Sequence, residues 1–138
     1  MTASHVEHIG IAVKNLKEAI QMYESIFGIS CYKIEEVPDQ KVRTAFFQIG
    51  QTKIELLESN DPEGPINKFI ERKGEGVHQI AIAMENLAET LKEMEVKGFQ
   101  IIDKKPRQGA EGLNIAFLHP KSTGGVLFEL CQDPALKK

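Results

Sequence analysis

Residues 8–20, HIGIAVKNLKEAI, return at 79–91 as QIAIAMENLAETL, with six of the thirteen paired positions identical. The offset from His8 to Gln79 is 71 residues, about half of the 138-residue chain. A repeat of this length means that one supersecondary unit is used twice, so the fold is a pair of like modules. The ends of the two halves repeat as well. Ile54-Glu55-Leu56 corresponds to Phe128-Glu129-Leu130, at an offset of 74. The repeat thus pairs His8 with Gln79 and Glu55 with Glu129. Four donor side chains at equivalent positions point to a metal site on the pseudo-twofold axis.

Local patterns give the content of each module. Residues 5–13 alternate as a strand, with Ile9, Ile11 and Val13 on one face and His8, Gly10 and Ala12 on the other. Asn15 is an N-cap for a helix over 16–27, where Leu16, Ala19, Ile20, Tyr23 and Phe27 recur at helical spacing and Gly28 ends the run. Strands are expected at 29–37, 42–49 and 52–58, giving a βαβββ unit over 5–58. The polar segment 59–76, with Pro62, Gly64, Pro65, Gly74 and Gly76, reads as a linker with room for a short helix at 66–72. The second unit, 77–132, repeats the order. A strand at 77–84 and a helix at 86–97 precede strands near 99–103, 113–118 and 125–132, with a loop at 104–112. Pro134, Lys137 and Lys138 suggest a frayed tail. The expected fold class is α+β, a single domain of two pseudo-symmetric βαβββ modules whose curled mixed sheets surround a central metal pocket.

The face opposite the isoleucines carries His8, Gly10 and Ala12 in one module and Gln79, Ala81 and Ala83 in the other. One polar residue followed by two small ones leaves space, which suits a cavity wall better than a core. Close packing of two sheets would also use small residues, but the polar position recurs. Parity further separates His78 from Gln79: His78 falls on the isoleucine face. A glutamate centred in an apolar strand is costly to bury unless it is paired or metal-bound. Two at equivalent positions make the exposed-residue explanation weaker.

Composition excludes several classes. A net charge of −3 and an isoelectric point near 5.8 argue against nucleic-acid binding. No apolar run approaches the ~20 residues of a membrane helix, and the N-terminus does not resemble a signal peptide. Two distant cysteines, Cys31 and Cys131, suggest a reducing cytoplasm rather than a disulfide framework.

The segments HIGIAVKNLKEAI, GEGVHQIAIAMENL and LNIAFLHPKSTGGVLFEL resemble the vicinal oxygen chelate superfamily, which includes glyoxalase I, extradiol dioxygenases, bleomycin-resistance proteins and the methylmalonyl-CoA epimerases. The epimerases are the nearest resemblance, and it covers nearly the whole chain from His5 to about Gln132. It implies paired βαβββ modules around a divalent metal (Co, Mn, Ni or Zn), with ligands at His8, Glu55, Gln79 and Glu129. The chain departs from the epimerases at Gln79, where they usually carry a second histidine. An amide oxygen still coordinates hard or borderline divalent ions.

The same resemblance implies the chemistry. An acyl-CoA thioester substrate loses its α-proton to give an enolate, and the proton returns on the other face. Glu129 is the stronger candidate base, with Glu55 on the opposite side of the axis. Thr44 stands where some epimerases place a glutamate and is a candidate substrate contact, together with His119 and Lys121. His119 could equally stabilise its turn. Lys121 and the cluster of Lys104, Lys105 and Arg107 could meet coenzyme A phosphates, although a solvated loop is the usual explanation of such a cluster. A glyoxalase I-like lyase uses a donor set of the same composition, and a binding protein of the bleomycin-resistance type needs the pocket without the metal. A homodimer is expected on resemblance alone.

Overall fold

The computed structural model describes residues 2–136. The expected fraying at Lys137 and Lys138 lies outside the described residues. The chain divides into two compact units, one spanning His8–His78 and the other combining Met1–Glu7 with Gln79–Lys138. No described helix is long and apolar enough to cross a membrane, and neither cysteine is in a disulfide.

The unit His8–His78 contains the second half of β1 (Ala3–Ala12), then α1 (Leu16–Phe27), β2 (Lys33–Val37), β3 (Val42–Ile49), β4 (Thr52–Ser59) and α2 (Pro65–Lys73). Its strands lie in the order β2-β3-β4-β1. β1 runs parallel to β4, and β3 is antiparallel to both β2 and β4, so the sheet is mixed. α1 starts where Asn15 Oδ1 accepts the Glu18 N–H at 3.0 Å, and stops at Gly28, whose φ of 70° is the left-handed conformation that glycine adopts without strain. One face of the sheet packs on α1 through Val13, Leu16, Ala45, Phe47 and Leu56, all at most 5% exposed. Each large side chain buried there contributes about 1.5–3 kcal/mol.

The other unit repeats the plan with β5 (Gly76–Met84), which begins in the first unit, α3 (Leu87–Val96), β6 (Arg107–Gln108), β7 (Asn114–Phe117) and β8 (Phe128–Gln132), ordered β5-β8-β7-β6. β5 is parallel to β8, while β7 is antiparallel to β6 and β8. Asn86 Oδ1 caps α3 by accepting the Glu89 N–H at 3.1 Å. α3 covers one face through Leu87, Leu91, Ala116, Leu118 and Leu130.

Two details differ from the sequence expectation in the second unit. The strand anticipated near 99–103 is only a bridge between Ile101 and Leu118, and β6 falls inside the anticipated loop at 104–112. The Asp103 carboxylate takes the Phe117 N–H at 3.0 Å and interrupts backbone pairing, which resumes beyond Pro106 when Arg107 pairs with Ile115. The short helix expected at 66–72 within the segment 59–76 is present as α2, which Gly64 and Pro65 start and Gly74 ends.

Candidate metal and substrate site

Each unit contains one buried polar pair on the sheet face away from its helix. In the first, His8 Nδ1 lies 3.1 Å from Glu55 Oε2. In the second, Gln79 Nε2 donates to Glu129 Oε1 at 3.1 Å. None of the four residues is more than 4% exposed. Both pairs arise in the same way. The first strand runs parallel to the last, with Gly10 opposite Glu55 and Ala81 opposite Glu129. A histidine or glutamine two residues before that glycine or alanine therefore shares the glutamate's face. The small residues opposite each carboxylate leave it the room that a larger side chain would fill.

A third equivalence lies one strand further out. Phe46 is the antiparallel partner of Glu55, and Phe117 is that of Glu129. A cation stands over each ring: Lys33 Nζ is 5.1 Å and Lys53 Nζ 6.0 Å from the Phe46 centroid, and the Arg107 guanidinium is 5.6 Å from that of Phe117. Lys33 and Arg107 are each held by a nearby carboxylate, Glu35 and Asp103, both at 3.4 Å. Neither the phenylalanines nor the lysines were identified from the sequence, because a lysine in a strand ordinarily reads as an outward residue. Lys53 is only 8% exposed.

The remaining expected residues fall as follows. Thr44 is 1% exposed and shares the face of Glu55 and Phe46, opposite Leu57 on β4 and Glu35 on β2. His78 packs edge-on against Phe69 of α2, with ring centroids 4.9 Å apart. His119 Nδ1 accepts the Lys121 N–H at 3.1 Å and so holds its own turn. Lys121 and Lys105 are exposed, and Lys104 pairs with Glu95 at 3.6 Å at the surface. Cys131 is buried among Ala81, Ala83, Ile115 and Phe117, where it acts as a small apolar residue.

Residues 7–117 match the family described as the Glyoxalase/Bleomycin resistance protein/Dioxygenase superfamily. The chain belongs to that superfamily. It is 44% identical over 129 residues to the uncharacterized protein YqjC of Bacillus subtilis, covering 94% of this chain and 92% of the relative. It is 34% identical to the mitochondrial methylmalonyl-CoA epimerase of Homo sapiens, covering 92% of this chain and 73% of that protein. Among solved structures, a Streptomyces coelicolor methylmalonyl-CoA epimerase variant in complex with 2-nitronate-propionyl-CoA matches with a TM-score of 0.94 and 31% identity, covering 99% of each chain. The expected fold, paired βαβββ modules of the vicinal oxygen chelate type, is therefore the fold of this chain. Members of the superfamily typically bind a divalent metal. The donors around His8 suit such an ion: its imidazole nitrogen and the carboxylates of Glu7 and Glu55 can bring one ligand atom each within 4.8 Å of one another.

Proposed function

We propose that this protein is a metal-dependent epimerase that interconverts the C2 epimers of methylmalonyl-CoA. The observation that carries the reading is the pair of equivalent buried donor sets, His8 with Glu55 and Gln79 with Glu129. Relatives that are themselves methylmalonyl-CoA epimerases support the choice of substrate.

In this reading His8, Glu55, Gln79 and Glu129 hold one divalent ion of the Co, Mn, Ni or Zn type. The bound ion supplies Lewis-acid stabilisation of the negative charge that develops on the thioester and carboxylate oxygens. Two glutamates contribute two negative charges, which balance a divalent cation. Glu129, when not coordinated, would take the α-proton, and Glu55 would serve the opposite face of the planar enolate. With threonine at position 44, no third carboxylate is assigned to proton transfer. The Thr44 hydroxyl offers a hydrogen bond to substrate, with His119 and Lys121 as outer contacts. A cytoplasmic location is part of the proposal on cysteine usage in the sequence, and a homodimer on family resemblance.

The test is exchange of the α-proton of methylmalonyl-CoA in deuterated water, followed by proton NMR together with interconversion of the epimers. Exchange should require Co²⁺, Mn²⁺, Ni²⁺ or Zn²⁺ and cease on chelation. No exchange with any of the four ions would overturn the proposal. The second reading is a lactoylglutathione lyase, favoured by its donor set of one histidine, one glutamine and two glutamates. Turnover of the glutathione hemithioacetal in place of methylmalonyl-CoA would establish it.

A further inference from the structure

Glu7 directly precedes His8 on β1, so strand alternation assigns it to the opposite face, and the ligand set expected from the sequence omits it. The structure nonetheless brings it to the donors. One carboxylate oxygen of Glu7, one imidazole nitrogen of His8 and one carboxylate oxygen of Glu55 all lie within 4.8 Å of one another. His8 and Glu55 are each 3% exposed, and Glu7 is half-buried. Two carboxylates at this range each disfavour the charge on the other. Burial raises that cost, because little water is present to screen them. A cation beside both offsets it.

Lys53 is the ladder neighbour of His8 on β4 and is itself 8% exposed. An ion pair with Lys53 is therefore the purely structural role open to Glu7. It does not compete with a second role, because a carboxylate has two oxygens: one can meet an ammonium while the other turns to a metal. The three clustered atoms are suited to that. Ligand atoms held about 2.0–2.3 Å from one ion lie roughly 3–4 Å from each other, so the cluster needs only a small contraction. An imidazole nitrogen with two carboxylate oxygens is a donor set for a borderline divalent ion. We propose that Glu7 is a further ligand of the divalent ion, coordinating beside His8 and Glu55. The proposal rests on the metal-dependent reading given above. It makes two consecutive residues of β1 ligands, His8 by its place in the pleat and Glu7 by the reach of its side chain.

The experiment titrates metal-free wild type, Glu7→Gln and Glu7→Ala with Mn²⁺ and Co²⁺ by calorimetry, and records the visible absorption bands of the Co²⁺ forms. Melting of the metal-free proteins, with Lys53→Met included, runs alongside. Glu7→Gln should bind both ions roughly 100-fold more weakly or worse, and its Co²⁺ bands should move, because a neutral amide stands where a charged oxygen was. Glu7→Ala should lose at least as much. Glu7→Gln keeps the shape of the side chain and carries the test if Glu7→Ala does not fold. Unchanged affinity and bands in Glu7→Gln would overturn the proposal; equal losses of metal-free Tm in Glu7→Gln and Lys53→Met would then assign Glu7 to an ion pair. Weaker binding with unmoved Co²⁺ bands would also overturn it, since a group outside the ligand shell can cost ~10–100-fold in affinity by orienting a ligand. In both of these cases the wild type still binds metal, and the epimerase reading stands. A wild-type protein that binds none of Mn²⁺, Co²⁺, Ni²⁺ and Zn²⁺ overturns both.

Discussion

Glu129→Gln should stabilise the metal-free protein and lose that advantage over wild type once metal is added. Glu129 is 2% exposed and accepts the Gln79 amide at 3.1 Å. Glutamine keeps the volume and a carbonyl acceptor, so the contact survives as a neutral hydrogen bond. That exchange costs about 1 kcal/mol, the difference between a charged and a neutral bond. Against it, the desolvation of a buried carboxylate, worth several kcal/mol, disappears. The net gain for the metal-free protein is about 2 kcal/mol. At about 4 °C per kcal/mol for a chain of this length, Tm rises by about 8 °C.

Metal cancels that advantage. At one hundred times its dissociation constant, an ion that binds only the folded state adds about 2.7 kcal/mol to the wild type, or about 11 °C. Removing one of the two negative ligands weakens binding at least ~100-fold, so at the same concentration the variant gains only about 0.4 kcal/mol. Calorimetric or fluorescence melting of both proteins, with chelator and then with each of Co²⁺, Mn²⁺, Ni²⁺ and Zn²⁺, reads the two effects separately. A metal-free variant less stable than wild type would show that the carboxylate is structurally required and that no compensating ligand is needed to explain its burial. A metal-induced rise in Tm that persists undiminished in Glu129→Gln would remove Glu129 from the ligand set.

Two further substitutions test the frame around the site. Gln132→Ala deletes the acceptor of the Leu87 N–H (2.9 Å) and a donor to the Glu85 carbonyl (3.0 Å) at the buried start of α3; it should lower the urea-unfolding free energy by about 1–3 kcal/mol with metal affinity retained. His78→Ala removes the edge contact with Phe69 and should cost about 1 kcal/mol in the same unfolding assay, while the metal-binding isotherm stays as in wild type. Loss of metal in that variant would mean that His78, not Gln79, faces the ion.

The face that holds the donor pairs could be read from the chain because it depends on a local rule. Side chains alternate along a strand, so His8 separates from Ile9, and Gln79 from His78, without knowledge of what lies beside them. Lys53 and Lys33 obey the same alternation, yet their importance comes from register. Only the pairing of Lys33 with Phe46, and of Phe46 with Glu55, brings two lysines, a ring and the carboxylate together. That pairing joins residues far apart in sequence, and no local pattern encodes it. β6 escaped notice for a related reason. Two residues are too few to show a period, and the Asp103 side chain, rather than the backbone, satisfies the Phe117 N–H in the gap before it.

The repeat also shows which features each position must keep. Glu58 follows Glu55 by three residues, and Gln132 follows Glu129 by three. An odd spacing puts the two on opposite faces of one strand. The first meets the donor pair; the second reaches the helix, where Glu58 Oε2 accepts the Leu16 N–H at 2.8 Å and Gln132 Oε1 accepts that of Leu87 at 2.9 Å. At the helix any acceptor oxygen suffices, so glutamate and glutamine interchange between the halves. His8 and Gln79 have also diverged, which the proposed function allows where one nitrogen or oxygen donor is enough. The glutamates at 55 and 129 are alike in both halves, as the proposed function requires of the position whose charge would balance a divalent ion. The pattern of divergence thus follows the chemistry: the halves differ where polarity alone is required and agree where charge is.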